Sequence, residues 1–179
     1  MYGDTFTTSD TFNYRFNKIY DRVKYLTFGN SFNQEIKVDS LPNNLIELKF
    51  GKSYNKKISS GVLPNTLRVL IFGEEYNQEI LHDVLPKYLE ILNFGIQYNK
   101  KIYPSVINPN LKTLILSQEY NHKFDHGDLP SSIEYLTFGN KYDQDINLME
   151  LPFNLKVLTL SVKYTKKIVL MKKITINYV

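Results

Sequence analysis

The chain is predicted to fold as a β-rich solenoid, a coil of stacked repeats with one parallel strand per turn. Three observations lead there. A run of the form L-P-x-x-L-x-x-L-x-F-G-x-x-Y-N-x-x-I recurs at a step of 22 residues, its leading position falling at Ile19, Leu41, Leu63, Leu85, Ile107, Leu129 and Leu151. Self-similarity at a period of this size marks a solenoid, in which each repeat is one coil. Two apolar columns near the middle of each repeat, as in Leu48-Lys49-Phe50, are separated by a single variable residue. That period of two marks a strand with one face buried. The spacing holds through all seven copies without insertion, so strands of successive repeats lie side by side in one register. A lone coil buries too few apolar side chains to offset the ordering of its backbone; stacking completes both burial and strand hydrogen bonding.

Each column has its own requirement. The second apolar column is Val23, Leu45, Leu67, Leu89, Leu111, Ile133 and Leu155, and the third is Leu26, Leu48, Leu70, Leu92, Leu114, Leu136 and Leu158. The fourth is Phe28, Phe50, Phe72, Phe94, Leu116, Phe138 and Leu160. Downstream come an aromatic column, Phe32, Tyr54, Tyr76, Tyr98, Tyr120, Tyr142 and Tyr164, and a closing column from Ile36 to Ile168 in which Phe124 replaces isoleucine. The glycine column reads Gly29, Gly51, Gly73, Gly95, Ser117, Gly139 and Ser161, with serine only after leucine. A left-handed backbone would disfavour serine after any residue, so the pairing predicts that glycine leaves room beside a phenylalanine ring.

These columns resemble the FNIP repeat, which is related to leucine-rich repeats. The matching residues are the Leu-Pro start, Leu-x-x-Leu-x-Phe-Gly, then aromatic-Asn and Ile, over residues 19–168. The resemblance implies a leucine-rich-repeat-like right-handed coil; a three-sided parallel β-helix is the alternative. It also implies a protein-interaction module, found in amoebae and the large viruses that infect them, often behind an F-box that couples to ubiquitin ligases. No catalytic residues come with it. One departure is systematic. The family often has proline before the closing isoleucine, where this chain has Glu35, Lys57, Glu79, Lys101, Lys123, Asp145 and Lys167.

Residues 1–18 are expected to cap the first coil, with Phe12, Tyr14 and Phe16 alternating as a strand that lays aromatics over it; the segment is too short for an F-box. Residues 19–168 are the seven repeats. The repeat at 107 drifts most: Asn108-Pro109 replaces Leu-Pro, Leu116-Ser117 replaces Phe-Gly, and Phe124 replaces isoleucine. It is expected to be the softest coil. Residues 169–179 are expected to be a shortened closing strand, with Ile174-Thr175-Ile176 in the Leu-x-Phe place after loss of six loop residues.

Composition excludes several classes. There is no cysteine, so neither a disulfide framework nor thiol chemistry is expected. No signal peptide and no apolar run of membrane-spanning length is visible, which points to an intracellular, cytoplasmic protein. The net charge of +4 is mild, and lysines interleave with acids, so no basic stripe for nucleic acid forms. His122 and His126 with Asp125 and Asp128 have metal-like spacing but lie in a loop, and no metal or other cofactor is expected. No column holds the carboxylate pair of a glycosidase. The chain is therefore not expected to be an enzyme.

Function is expected on the strand face. In a leucine-rich architecture the variable strand residues point to the concave side. Here they are Tyr25, Glu47, Val69, Ile91, Thr113, Tyr135 and Val157 in one row, and Thr27, Lys49, Ile71, Asn93, Ile115, Thr137 and Thr159 in the other. The candidate binding residues are Val69, Ile71, Ile91, Asn93, Ile115, Tyr135 and Val157. A contiguous apolar patch marks an interaction site, although β-branched residues also simply suit strands. Two columns are expected to be structural: an asparagine ladder through Asn33, Asn55, Asn77, Asn99 and Asn121, and a charge ladder in the column from Glu35 to Lys167. The expected function is a non-enzymatic scaffold that binds a partner protein on the concave face. The alternative is a structural or self-assembling protein that stacks through its ends.

Overall fold

The computed structural model describes residues 3–169 and 174–179. Its strands are β1 (Thr5–Thr7), β2 (Tyr25–Thr27), β3 (Glu47–Lys49), β4 (Val69–Ile71), β5 (Ile91–Asn93), β6 (Thr113–Ile115), β7 (Tyr135–Thr137), β8 (Ile146–Asn147), β9 (Val157–Leu160), β10 (Ile168–Val169) and β11 (Thr175–Tyr178). Nine of them form a single parallel sheet in the order β1-β2-β3-β4-β5-β6-β7-β9-β11. From β2 to β9 each residue pairs with the one 22 positions on, as in Leu48↔Leu70 and Leu70↔Leu92. A second sheet among the described residues is only the two-residue pair β8 and β10. A three-sided β-helix would run three continuous sheets along its axis; this chain runs one. The fold is the leucine-rich-repeat-like solenoid.

From β2 to β7 the strands are short: only one residue of each, the third-column leucine, is fully buried, flanked by half-buried or exposed neighbours. The rest of each coil turns back beneath the sheet. There the fourth-column ring and the downstream aromatic stack within one coil, with centroids 3.8 Å apart for Phe50 and Tyr54, 3.7 Å for Phe72 and Tyr76, and 4.0 Å for Phe94 and Tyr98. Both members also stack on their counterparts one coil away, Phe50 on Phe72 at 5.7 Å and Tyr54 on Tyr76 at 6.1 Å. The core is thus a double file of parallel rings beside a file of leucines, and its repeat matches the offset stacking that aromatic quadrupoles favour.

The glycine column has a different cause from the one the Phe-Gly pairing predicts. A Cβ at Gly73 would stand 1.8 Å from the carbonyl oxygen of Gly51, and at Gly51 2.4 Å from that of Gly29. The obstacle is the backbone of the preceding coil, not a neighbouring ring. Both serines stand where the backbone departs from the template. Ser117 stacks on Gly95, which has φ 69° and donates its N–H to Asn93 Oδ1 at 2.9 Å. Ser161 follows β9, which continues one residue further than β2 to β7, through Leu160. Ser117 is buried, and its Oγ donates to the carbonyl of Tyr98.

The loop before each Leu-Pro is as regular as the strands. Ser40, Val62, Val84, Val106 and Asp128 each donate a backbone N–H to the carbonyl three residues earlier, closing a turn, and all five are buried. The residue before each has a left-handed backbone: Asp39, Gly61, Asp83, Ser105 and Gly127, at φ 62–88°. This is the column where glycine, or aspartate in its place, is favoured by conformation.

Both ends differ from expectation in detail. The cap strand is β1, not the Phe12–Phe16 run. Phe6 pairs with Leu26 at an offset of 20 residues, so residues 4–16 form a coil shortened by two. Phe12 then falls in the aromatic column and stacks on Phe32 at 5.8 Å; Phe16 packs on Phe28 at 5.7 Å; Tyr14 points to solvent. At the other end Ile176 pairs with Leu158 and Tyr178 with Leu160. The offset is 18, so the tail closes the sheet after losing four residues rather than six, and Ile176, not Ile174, takes the leucine place. Residues 170–173 of the tail lie outside the described residues. The drifting coil at 107 has a pinned leading turn: buried Asn108 donates from Nδ2 to the Pro86 carbonyl at 3.0 Å and accepts the Asn110 N–H at 2.8 Å.

Candidate binding face

The sheet sets two rows of side chains outside the core, one on each side of the buried leucines. In the first row Val69, Ile91, Thr113, Tyr135 and Val157 are consecutive cross-strand partners; in the second Ile71, Asn93, Ile115, Thr137 and Thr159 are. Tyr135 is exposed, and the other six candidate residues, Val69, Ile71, Ile91, Asn93, Ile115 and Val157, are half-buried. The apolar members run diagonally across the strands, from Val69 and Ile71 through Ile91 and Ile115 to Tyr135. Asn93 interrupts the second row between Ile71 and Ile115, and its Oδ1 is engaged by the Gly95 N–H. It therefore shapes the turn below the sheet as well as the face. On β3 the two charges of the face meet, Lys49 Nζ lying 2.7 Å from Glu47 Oε1.

A charge ladder flanks this face, in a different column from the expected one. Among the described residues no ion pair joins stacked neighbours from Glu35 to Lys167. The pairs form in the column just before the strands, which alternates in sign from Arg68 through Glu90, Lys112 and Glu134 to Lys156. Arg68 meets Glu90 at 3.5 Å, and Glu134 takes Lys112 at 3.7 Å and Lys156 at 2.5 Å. Lys24 reaches Asp4 at 2.8 Å. The hydrogen bond from Lys156 holds Glu134 below the usual carboxylate range, and in return raises Lys156; Asp4 does the same for Lys24. The sign alternation in residues 68–156 was available in the sequence and fixes register by penalising like-charge neighbours.

On the opposite side the asparagine column is structural, as expected. Each side chain accepts the backbone N–H of the asparagine one coil on: Asn33 from Asn55, Asn55 from Asn77, Asn77 from Asn99, Asn99 from Asn121, at 3.0–3.2 Å, and Asn121 from Asp143 at 2.9 Å. Asn13 extends the ladder backward to Asn33. The histidines are also engaged locally, His122 Nε2 with the Asn99 carbonyl at 3.1 Å and His126 Nδ1 with that of Met149 at 2.6 Å. Among the described residues no cluster of potential ligands fits a metal ion, and no helix is long and apolar enough to cross a membrane.

Known proteins place this architecture. Comparison with curated proteins gives no match. Among solved structures the chain is similar to CroV588, a giant-virus protein described as a novel circular LRR protein structure, with a TM-score of 0.88 and 36% identity over 91% of this chain. It spans 24% of that protein's length. The FNIP repeat family model matches four times, over residues 16–53, 32–75, 76–119 and 120–163. With the 22-residue register, the asparagine ladder and the single parallel sheet in agreement, this chain belongs to the FNIP repeat family.

Proposed function

We propose that the chain is a non-enzymatic scaffold that binds a partner protein on the outer sheet face, the concave face of a leucine-rich architecture. FNIP repeats and leucine-rich solenoids are typical of non-enzymatic interaction proteins. The observation that supports the face is its apolar surface. Val69, Ile71, Ile91, Ile115 and Tyr135 lie outside the core, where threonine would satisfy the strand equally well. The partner presents an apolar patch of its own, and the site of action is the cytoplasm of the cell that holds it. The test is affinity capture from that cell with mass spectrometry, comparing the wild type with an Ile71→Lys/Ile91→Lys variant of equal helical and strand signature. Partners captured by the wild type and lost by the variant support the face. Retention of every partner moves the binding surface elsewhere, to the loops after each asparagine.

A second reading, assembly through the ends, is favoured by β1 and β11, the outermost strands of the sheet. CroV588 is circular, and this chain aligns to 24% of it. A comparable circle built from copies of this chain would hold about four.

A further inference from the structure

We propose that copies of this chain join head to tail, the outer edge of β1 in one copy pairing in parallel with the outer edge of β11 in the next. This rests on the assembly reading above and names its joint. In a parallel strand, alternate residues turn their peptide groups to opposite neighbours. Tyr25 N–H donates to the Asp4 carbonyl and Thr8 N–H to that of Thr27, so residues 4, 6 and 8 face β2, and Thr5 and Thr7 turn theirs outward. At the other edge Thr175 N–H donates to the Lys156 carbonyl and Val179 N–H to that of Leu160. Residues 175, 177 and 179 therefore face β9, and Ile176 and Tyr178 turn outward. These are the two sets that meet at every internal joint of the sheet. The register that pairs Phe6 with Leu26 and Leu158 with Ile176 would set Thr5 against Thr175, Phe6 against Ile176 and Thr7 against Asn177.

The side chains make the same point. The leucine column is 0–1% exposed from Leu26 to Leu158, whereas Phe6 in that column is 39% exposed and Ile176 only half-buried. Beside Phe6 a hollow of about 410 Å³ is lined by Phe12, Phe16, Ile19, Val23 and Phe28. It is the surface each coil shows to the coil before it. A second copy is the occupant that brings both a strand in register and the core residues behind it, because a translational repeat makes the two ends of one chain complementary. Such a heterologous joint yields a closed ring or an open filament.

The experiment uses the full chain, residues 1–179, in sedimentation velocity across a concentration series. It adds a Thr5→Cys/Thr175→Cys variant under mild oxidation. The native sequence has no cysteine. Within one copy the two positions are eight strand spacings apart, roughly 38 Å, far beyond the ~4.4–6.8 Å of a disulfide. The expected result is concentration-dependent association and a covalent ladder in the double variant. Thr7→Pro removes one outward N–H and leaves the β1–β2 bonds intact, so it should weaken association roughly tenfold or more without lowering the melting temperature. Ile71→Lys/Ile91→Lys should associate like the wild type. A monomer at every concentration overturns the proposal. So does association untouched by Thr7→Pro, association lost only in the face variant, or Thr5→Cys alone crosslinking as readily as the pair, which would mean that like edges meet.

Discussion

The coils from Leu41 to Ile102 and those from Ile107 to Ile168 solve the same packing problem differently. In the first group every coil has a Phe–Tyr pair, and each ring has stacked neighbours in the coils above and below except Phe94, whose next coil has Leu116 in its place. In the second, leucine replaces phenylalanine at 116 and 160, and the phenylalanine file breaks. Tyr120 still stacks on Tyr98 at 6.4 Å, but its next ring is Phe124, at 5.4 Å and 18°. Phe124 occupies the closing column, where the neighbouring coils have isoleucine. It meets Phe138 tilted by 55° at 6.2 Å. The ring volume lost at Leu116 is thus returned at Phe124. A close-packed interior conserves volume before it conserves pattern, and the coil at 107 drifts from the consensus in one compensating pair.

The largest effects test the ring file. Phe72→Ala should cost about 3–5 kcal/mol in urea unfolding. Phe72 stacks on Phe50, Tyr76 and Phe94, whereas among the described residues the rings that Phe138 meets are Tyr142 and Phe124, both tilted. Phe138→Ala should therefore cost less, by about 1 kcal/mol. Equal losses would mean that stacking across coils adds nothing beyond burial. Gly73→Ser comes next, at about 1–3 kcal/mol. Because the obstacle is the Gly51 carbonyl, Phe72→Leu should not rescue it, and the double-mutant cycle should be additive. Rescue would restore the ring as the cause.

The compensating pair makes a third test. Leu116→Phe alone overpacks and should cost about 1–3 kcal/mol. Combined with Phe124→Ile it restores the template, and the unfolding free energy should recover most of that loss. Absence of coupling would make the two substitutions independent drift.

Alkali probes the tyrosine file. Burial raises Tyr76 well above its ordinary range, as it does Tyr54 and Tyr98, while the less buried Tyr164, in the last coil of the file, is pushed up to about 12. The unfolded chain ionises near pH ~10. Stability tied to these groups is therefore complete below pH 10 and is lost as pH rises from there towards the folded values, by about 1.4 kcal/mol per pH unit for each tyrosine. The Tyr76 hydroxyl has no hydrogen-bond partner among the described residues, so Tyr76→Phe should be near neutral at pH 7 and should flatten the decline of the urea midpoint above pH 10. An unchanged decline would place the alkaline sensitivity outside the file.

Much of this was legible because a repeat shows each requirement several times over. The strand period, the inward leucines and the asparagine ladder follow from residue type and spacing alone. Other features were hidden for physical reasons. The left-handed column is occupied by aspartate, serine and glycine in turn, so composition conceals a shared backbone conformation. The clash that requires glycine at position 73 comes from a carbonyl one coil away, which no local pairing can reveal. The end coils escaped because they lack Leu-Pro, although Phe12-Asn13 carried the aromatic-Asn signal at a 20-residue offset. The candidate rows could be placed by period two, but the sequence does not say that Asn93 also anchors the Gly95 turn.

In the proposed function one face of each strand builds the solenoid while the other is left for a partner. Thermal melts of Ile71→Lys/Ile91→Lys beside Leu70→Ala test it most directly. Ile71 and Ile91 flank the buried column at half-buried positions, while Leu70 is fully buried between them. The lysine pair should melt close to the wild type, since each change at such a position shifts stability by about 0.5 kcal/mol or less. Leu70→Ala should fall by about 2–5 kcal/mol. A lysine pair that melts as early as Leu70→Ala would make the outer rows part of the core and remove the free face on which the proposed binding depends.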